Sequence, residues 1–294
     1  MTDKDGRIIG TLGTLHDITD RKQTENMLNF LYELRRRSNF LNDIIAGSTK
    51  INESISSYMK TLGIDLSRPL FCCLVVSEGL KDKEKNSMIE VLSRNKDYVV
   101  WDCRNNIGII YQYSAEKEEK GEESFPVDDF WLEKIKKNNF QLGITAGISS
   151  IQIGIDSFLK AYWQAWSATV AAQCYGKGLE KIYYYKDLGI LQLLVRNIEN
   201  ENSDEFIQGQ LGKLITYDKE RGTTFLLTLE EILQSSSLKS VAEKMFIHPK
   251  TVVFRKQRIE KILGVSIELF ETRLALAVAL KLYSISQFLK KSRK

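Results

Sequence analysis

The chain has 294 residues, 43% hydrophobic and 27% charged, which excludes a disordered or collagen-like polymer and predicts roughly two domains. Four cysteines without paired spacing (Cys72, Cys73, Cys103, Cys174) and only two histidines, His16 and His248, argue against a disulfide framework, a zinc site and most histidine-based catalysis, and point to a reducing, cytoplasmic setting. The net charge of +4 is unevenly spread: from residue 238 onward thirteen Lys and Arg face four Glu, a balance of +9 that leaves the rest of the chain at −5.

The longest apolar run, residues 69–76, is too short to span a bilayer, and the polar, acidic start is no secretory signal, so no membrane partner is expected. A first strand is predicted over residues 7–18, where Ile8, Ile9, Leu12, Leu15 and Ile18 stand among Gly6, Gly10 and Gly13. Thr19 or Asp20 then offers an N-cap for one long helix over 21–46. Along it Met27, Leu31, Leu34, Ser38, Leu41 and Ile45 alternate at spacings of four and three, a heptad seam with one polar interruption. That seam predicts a coiled-coil homodimer contact through Met27, Leu31, Leu34, Leu41 and Ile45; the competing account lays the same face on the chain's own domain.

The middle of the chain alternates. Strands are predicted over 70–76, 98–103, 107–113, 142–148 and 182–185, with helices over 82–94, 127–137 and 156–175 and a charged loop over 114–124. The turn Arg104-Asn105-Asn106 reads as a hairpin. This order suits an α+β sheet with helices layered on one face. Tyr183-Tyr184-Tyr185 and the pair Trp163 and Trp166 suit a core better than a pocket wall. From residue 188 every strong signal is helical.

The most informative stretch is 235–264. Leu238, Val241, Ala242 and Met245 give a short helix, Phe246-Ile247-His248 a tight connection, and Pro249 opens a second helix where its missing N–H costs nothing. That helix puts Val252, Ile259, Ile262 and Leu263 on one side and Lys250, Arg255, Arg258 and Lys261 on the other, the pattern of a helix-turn-helix whose second helix enters the major groove. Lys250 and Thr251 are expected nearest base edges, and Arg255, Lys256 and Arg258 near phosphates. Lys239, Ser240, His248 and Phe254 complete the expected interface with double-stranded DNA.

Residues 238–259 resemble the C-terminal DNA-binding domain of the sugar-diacid and purine-catabolism regulators, the CdaR/PucR group. The match rests on Ala242, Phe246, Ile247, His248, Thr251, Val252, the aromatic Phe254, Arg255, Arg258 and Ile259; it departs at Lys250 and Lys256, where Asn and Leu are usual, and in Phe254 standing where the usual aromatic is Tyr. The middle of the chain resembles that group's degenerate relative of the diguanylate-cyclase (GGDEF) fold, a ferredoxin-like sandwich. The turn Cys103-Arg104-Asn105-Asn106-Ile107 carries neither the glycines nor the acids an active cyclase needs, and the first strand ends Val75-Val76-Ser77-Glu78 without a metal-binding Asp. Asp5-Gly6-Arg7-Ile8-Ile9-Gly10 with Asp17-Ile18-Thr19-Asp20 resembles the end of a PAS sensor domain and its exit motif.

The resulting expectation is a PAS remnant over 1–20, a signalling helix over 21–46, a GGDEF-like domain over 47–190, a helical connector over 191–222 and a helix-turn-helix domain over 223–294. The chain so read is a homodimeric, non-enzymatic DNA-binding transcriptional regulator without metal or cofactor, open to a small-molecule effector. The alternatives are a non-catalytic ligand- or partner-binding scaffold and a cyclic-dinucleotide enzyme.

Overall fold

The structure, a computed structural model, describes residues 19–112 and 143–292 except 78, 96, 105 and 199. The strand expected over 7–18, the loop over 114–124, the helix over 127–137 and the residues Glu78 and Asn105 lie outside the described residues.

Among the described residues the first element is helix α1, Thr19–Ile45. The chain is thus already helical at the two expected cap positions. A short helix α2, Glu53–Thr61, follows, capped by Asn52, whose side chain accepts from the Ile55 N–H at 2.9 Å. Then come β1 (Leu70–Val76), α3 (Asp82–Ser93), β2 (Tyr98–Cys103), β3 (Asn106–Gln112), β4 (Ile144–Ile148), α4 (Ser157–Tyr175) and β5 (Glu180–Tyr184). The strands form one sheet in the order β2-β3-β1-β4-β5, antiparallel throughout except for the β4–β5 pair. The predicted hairpin is present, and Arg104 turns it at φ 55°.

Helices cover both faces of this sheet, not one. Phe71, Cys73 and Val75 of β1 pack with Met88, Ile89 and Leu92 of α3. Leu70, Cys72 and Leu74 pack on the opposite side with Phe158, Ala161 and Ala165 of α4. The cause is legible in β1 itself: a strand apolar at every position must be covered twice.

Half of the expected dimer seam is internal. Leu34 and Leu41 are buried in the two cores, joined there by Ile44, because α1 runs past the edge of the sheet at β2. Ser38 is part of that contact. Its hydroxyl accepts from the Asp102 N–H at 2.9 Å, and Asn42 one turn later donates to the Asp102 carbonyl at 3.0 Å. The two side chains occupy the outward backbone groups of an edge strand, which would otherwise invite pairing with another chain. Ile45 is half-buried beside them. Further upstream, Met27, Leu28 and Tyr32 are exposed and Leu31 is half-exposed.

After a short α5 (Leu191–Arg196) the rest is helical: α6 (Glu201–Arg221), α7 (Phe225–Gln234), α8 (Leu238–Met245), α9 (Pro249–Leu263) and α10 (Phe270–Ser292). Their common core holds Leu211, Leu214, Leu229, Ile232, Val241, Val252, Ile259, Leu276 and Ala279. Within the segment expected as a helical connector, α6 supplies Leu211 and Leu214 to this core and Ile207 to the next. Asp218 of α6 fixes the start of α7, accepting from the N–H groups of Phe225 and Leu226 at 2.9 and 2.8 Å. A carboxylate is favoured at a helix N-terminus because the unpaired N–H groups there leave partial positive charge. Helix α10 is shared. Its middle closes the helical core, and its later turns, through Leu282 and Ile285, pack on Ala168 and Ala171 of α4.

Candidate nucleic-acid interface

The helix-turn-helix is built by three backbone devices. Ser237 caps α8, its hydroxyl accepting from the Ser240 N–H at 3.2 Å. Phe246 ends α8 in the left-handed conformation at φ 54° while the residue is 94% exposed. A non-glycine residue there costs about 1–2 kcal/mol, and no burial of the ring within the domain offsets it. His248 caps α9, its Nδ1 accepting from the Lys250 N–H at 3.2 Å, and Pro249 occupies the first helical position. Gly264, at φ 75°, ends α9 in the same left-handed region that a side chain would strain.

Val252 and Ile259 anchor α9 at 0% exposure, as the spacing predicts, with Ile262 and Leu263 partly covered. The basic residues divide into two groups. Arg255 turns inward, donating to the hydroxyl of Thr228 at 3.0 Å and of Thr224 at 3.4 Å. Arg258 lies 5.5 Å from the ring centroid of Tyr217 and donates to its hydroxyl at 3.4 Å. Lys256, with a side chain only 15% exposed, is paired with Glu268, whose carboxyl it holds below the usual range, and lies 4.0 Å from Glu260. Glu260 in turn accepts from the Ile267 N–H at 2.8 Å. The three cations expected at phosphates therefore tie α9 to α6, α7 and the α9–α10 loop.

What α9 turns outward is a different set: Lys250, Val253, Phe254, Gln257 and Lys261 are all exposed, one residue per turn or two along a single stripe. Thr251 is half-exposed at its start, while Lys239 is exposed and Ser240 half-buried in the first turn of α8. Gln257 was not singled out from the sequence, although its place three residues after Phe254 and seven after Lys250 marks it for that stripe. A long helix face with one cation at each end, an exposed phenylalanine and an amide between them can meet base edges from its start to its centre and a phosphate at its far end.

Residues 225–282 match the PucR C-terminal helix-turn-helix domain. Over 210 residues, 70% of this chain and 50% of the relative, the chain is 28% identical to the proline-responsive transcriptional activator PutR of Bacillus subtilis (strain 168). Over an alignment of 310 positions, 95% of this chain and 77% of the relative, it is 20% identical to the carbohydrate diacid regulator of Escherichia coli (strain K12). A crystal structure of a regulator of polyketide synthase expression from Bifidobacterium adolescentis aligns at 14% identity with a TM-score of 0.36, over 82% of this chain and 89% of that one. The chain spans half the length of PutR. Its helical C-terminal part is a helix-turn-helix domain of PucR type.

Proposed function

We propose that the chain is a sequence-specific DNA-binding transcriptional regulator, acting in the cytoplasm as a homodimer that presents two α9 helices to two half-sites. The observation that carries the reading is the division of α9: two fully buried anchors hold it, three cations brace it, and a separate exposed stripe is left for a partner. The match of 225–282 to the PucR-type domain and the likeness to two named regulators support it. Among the described residues no helix is long and apolar enough to cross a membrane. Fragments selected from a random DNA pool by the purified chain should share a motif with two-fold symmetry. Failure to enrich any sequence would favour the scaffold reading.

The dimer contact lies in the first turns of α1. Met27, Leu28, Leu31 and Tyr32 make an apolar strip that no described residue covers fully, and each such side chain gains about 1.5–3 kcal/mol when buried. Met27→Glu with Leu28→Glu should yield monomers by light scattering and weaken binding to a two-half-site DNA. The same pair of changes in a still-dimeric protein would move the contact elsewhere. Leu34→Glu is unsuited to this test, because it would charge the chain's own core.

The sheet supports a GGDEF-like, ferredoxin-like reading of 47–190: β3 lies between β1 and β2, and β4 flanks β1. The turn at Arg104 lacks carboxylates, and Asp102 beside it is engaged by Lys85 at 2.6 Å. The domain is read as non-catalytic, so GTP with magnesium should give no product above a blank; turnover would restore the enzyme alternative. The PAS reading of 1–20 is retained as the origin of a signal that α1 carries onward.

A further inference from the structure

A cleft of about 960 Å³ opens where the β2–β3 turn, the end of α1, α4, α5 and the end of α10 meet. Its size falls in the range of small-molecule sites. Three cations line it, Arg104 from the turn, Lys160 from α4 and Arg196 from α5, against one acid, Asp156. Asp156 and Lys160 face each other at 4.0 Å with both side chains more than 60% exposed. Among the described residues neither Arg104 nor Arg196 makes an ion pair. The lining is therefore a positive surface with two guanidiniums uncommitted, and a concave wall concentrates such a field.

The apolar side of the cleft is equally specific. Trp163 is 46% exposed although it stands in a wall of aromatic rings, 5.2 Å from Tyr162 and 5.5 Å from Trp166, edge-on to both. The sequence suited this pair to a core, and the structure instead leaves one indole open to the cleft. Tyr162 and Cys103 also line it, and burial pushes both pKa values up, so both remain neutral hydrogen-bonding groups and not nucleophiles. Asn42 uses its amide N–H on the Asp102 carbonyl, and Gln164 its Oε1 on the Ser150 N–H. The strongest features offered to a ligand are an indole face and two guanidiniums.

We propose that this cleft binds a small organic anion with a flat ring, its charged group taken by Arg104 and Arg196 and its ring placed against Trp163. Guanidiniums pair with carboxylates and phosphates by parallel hydrogen bonds, and aromatic rings add stacking or edge contacts. The site goes beyond the DNA reading, since neither side of it belongs to the α9 stripe. It also touches α10 through Leu289, and the earlier turns of that helix close the helix-turn-helix core. An occupant would thus contact a helix that packs in both the helical core and the α4 core.

The test is calorimetry on the full chain without DNA, using sodium benzoate and adenosine monophosphate as ring anions, with benzyl alcohol and inorganic phosphate as the ring alone and the charge alone. At least one ring anion should bind tenfold or more tightly than both single-feature controls, and which one does so separates a carboxylate from a phosphate ligand. Arg104→Ala with Arg196→Ala should weaken it tenfold or more with an unchanged melting curve, as both side chains are exposed. Trp163→Ala should weaken it as well. Lys250→Ala should leave it untouched. Equal binding of ring anion and controls, indifference to the double arginine change, or loss on Lys250→Ala would each overturn the proposal.

Discussion

Replacing Lys250 and Phe254 together with alanine is expected to lower affinity for a selected operator about 100-fold while leaving the melting temperature unchanged. Each good base contact is worth about 1–3 kcal/mol, and tenfold in affinity is about 1.4 kcal/mol, so two modest contacts give that factor. Both side chains are exposed and brace nothing within the domain. Lys261→Ala should instead weaken all sequences alike and flatten the salt dependence by about one phosphate contact. Arg255→Ala with Arg258→Ala, the pair that charge alone marks as phosphate ligands, should behave in the opposite way. Their guanidiniums sit on Thr228 and on the ring of Tyr217, so the loss should appear as a stability decrease of about 1–2 kcal/mol with the salt slope little changed. A Lys250 and Phe254 double variant that binds as well as the parent, measured by fluorescence anisotropy at two salt concentrations, would sink this assignment.

The difference between those two sets shows what periodicity alone can and cannot resolve. Val252 and Ile259 mark the buried side of α9 from sequence, and Pro249 marks its start, because both signals are local. Whether Arg255 faces DNA or Thr228 depends on where α7 lies, which no spacing within α9 encodes. Lys256 is a sharper case. It is expected at a phosphate and stands where Leu is usual in the family the segment resembles, and its partner Glu268 stands twelve residues on, across a loop. The long helix α1 teaches the same lesson. Its apolar residues follow a heptad well enough to suggest a second copy, yet Leu34, Ser38 and Leu41 meet the edge of the chain's own sheet. Ser38 looked like an interruption because its partner is a backbone N–H, and backbone partners leave no trace in a hydropathy pattern. The two-sided cover of the sheet, by contrast, was implicit in the unbroken apolar run of β1.

Gly147 is expected to tolerate no side chain. It sits in β4, paired to Leu74 on one side and Tyr183 on the other, directly beneath α4. A Cβ placed there would lie 2.2 Å from the Thr169 backbone nitrogen and 2.3 Å from the Ala165 carbonyl oxygen. Neither is the tip of a flexible side chain, so relief requires the helix to retreat by about 1 Å to reach ordinary contact distance. The helix is built for this closeness: Ala161, Ala165, Ala168 and Ala172 are all fully buried. Retreat would loosen Phe158 from Trp101 on the sheet side and press Ala168 and Ala171 onto Leu282 and Ile285 on the other, so the strain reaches α10 as well. Overpacking against fixed backbone costs about 3 kcal/mol or more, a large share of the 5–15 kcal/mol that holds a typical domain. Gly147→Ala should therefore lower the urea midpoint sharply, and Gly147→Val should leave little folded protein. Gly209 supplies the opposite sign. It lies exposed within α6 with nothing inside 4 Å of an added Cβ, so Gly209→Ala should raise stability by about 0.5–1 kcal/mol through helix propensity alone. If the two alanine variants shift the midpoint equally, the contact of α4 with β4 at Gly147 does not carry the packing described for it.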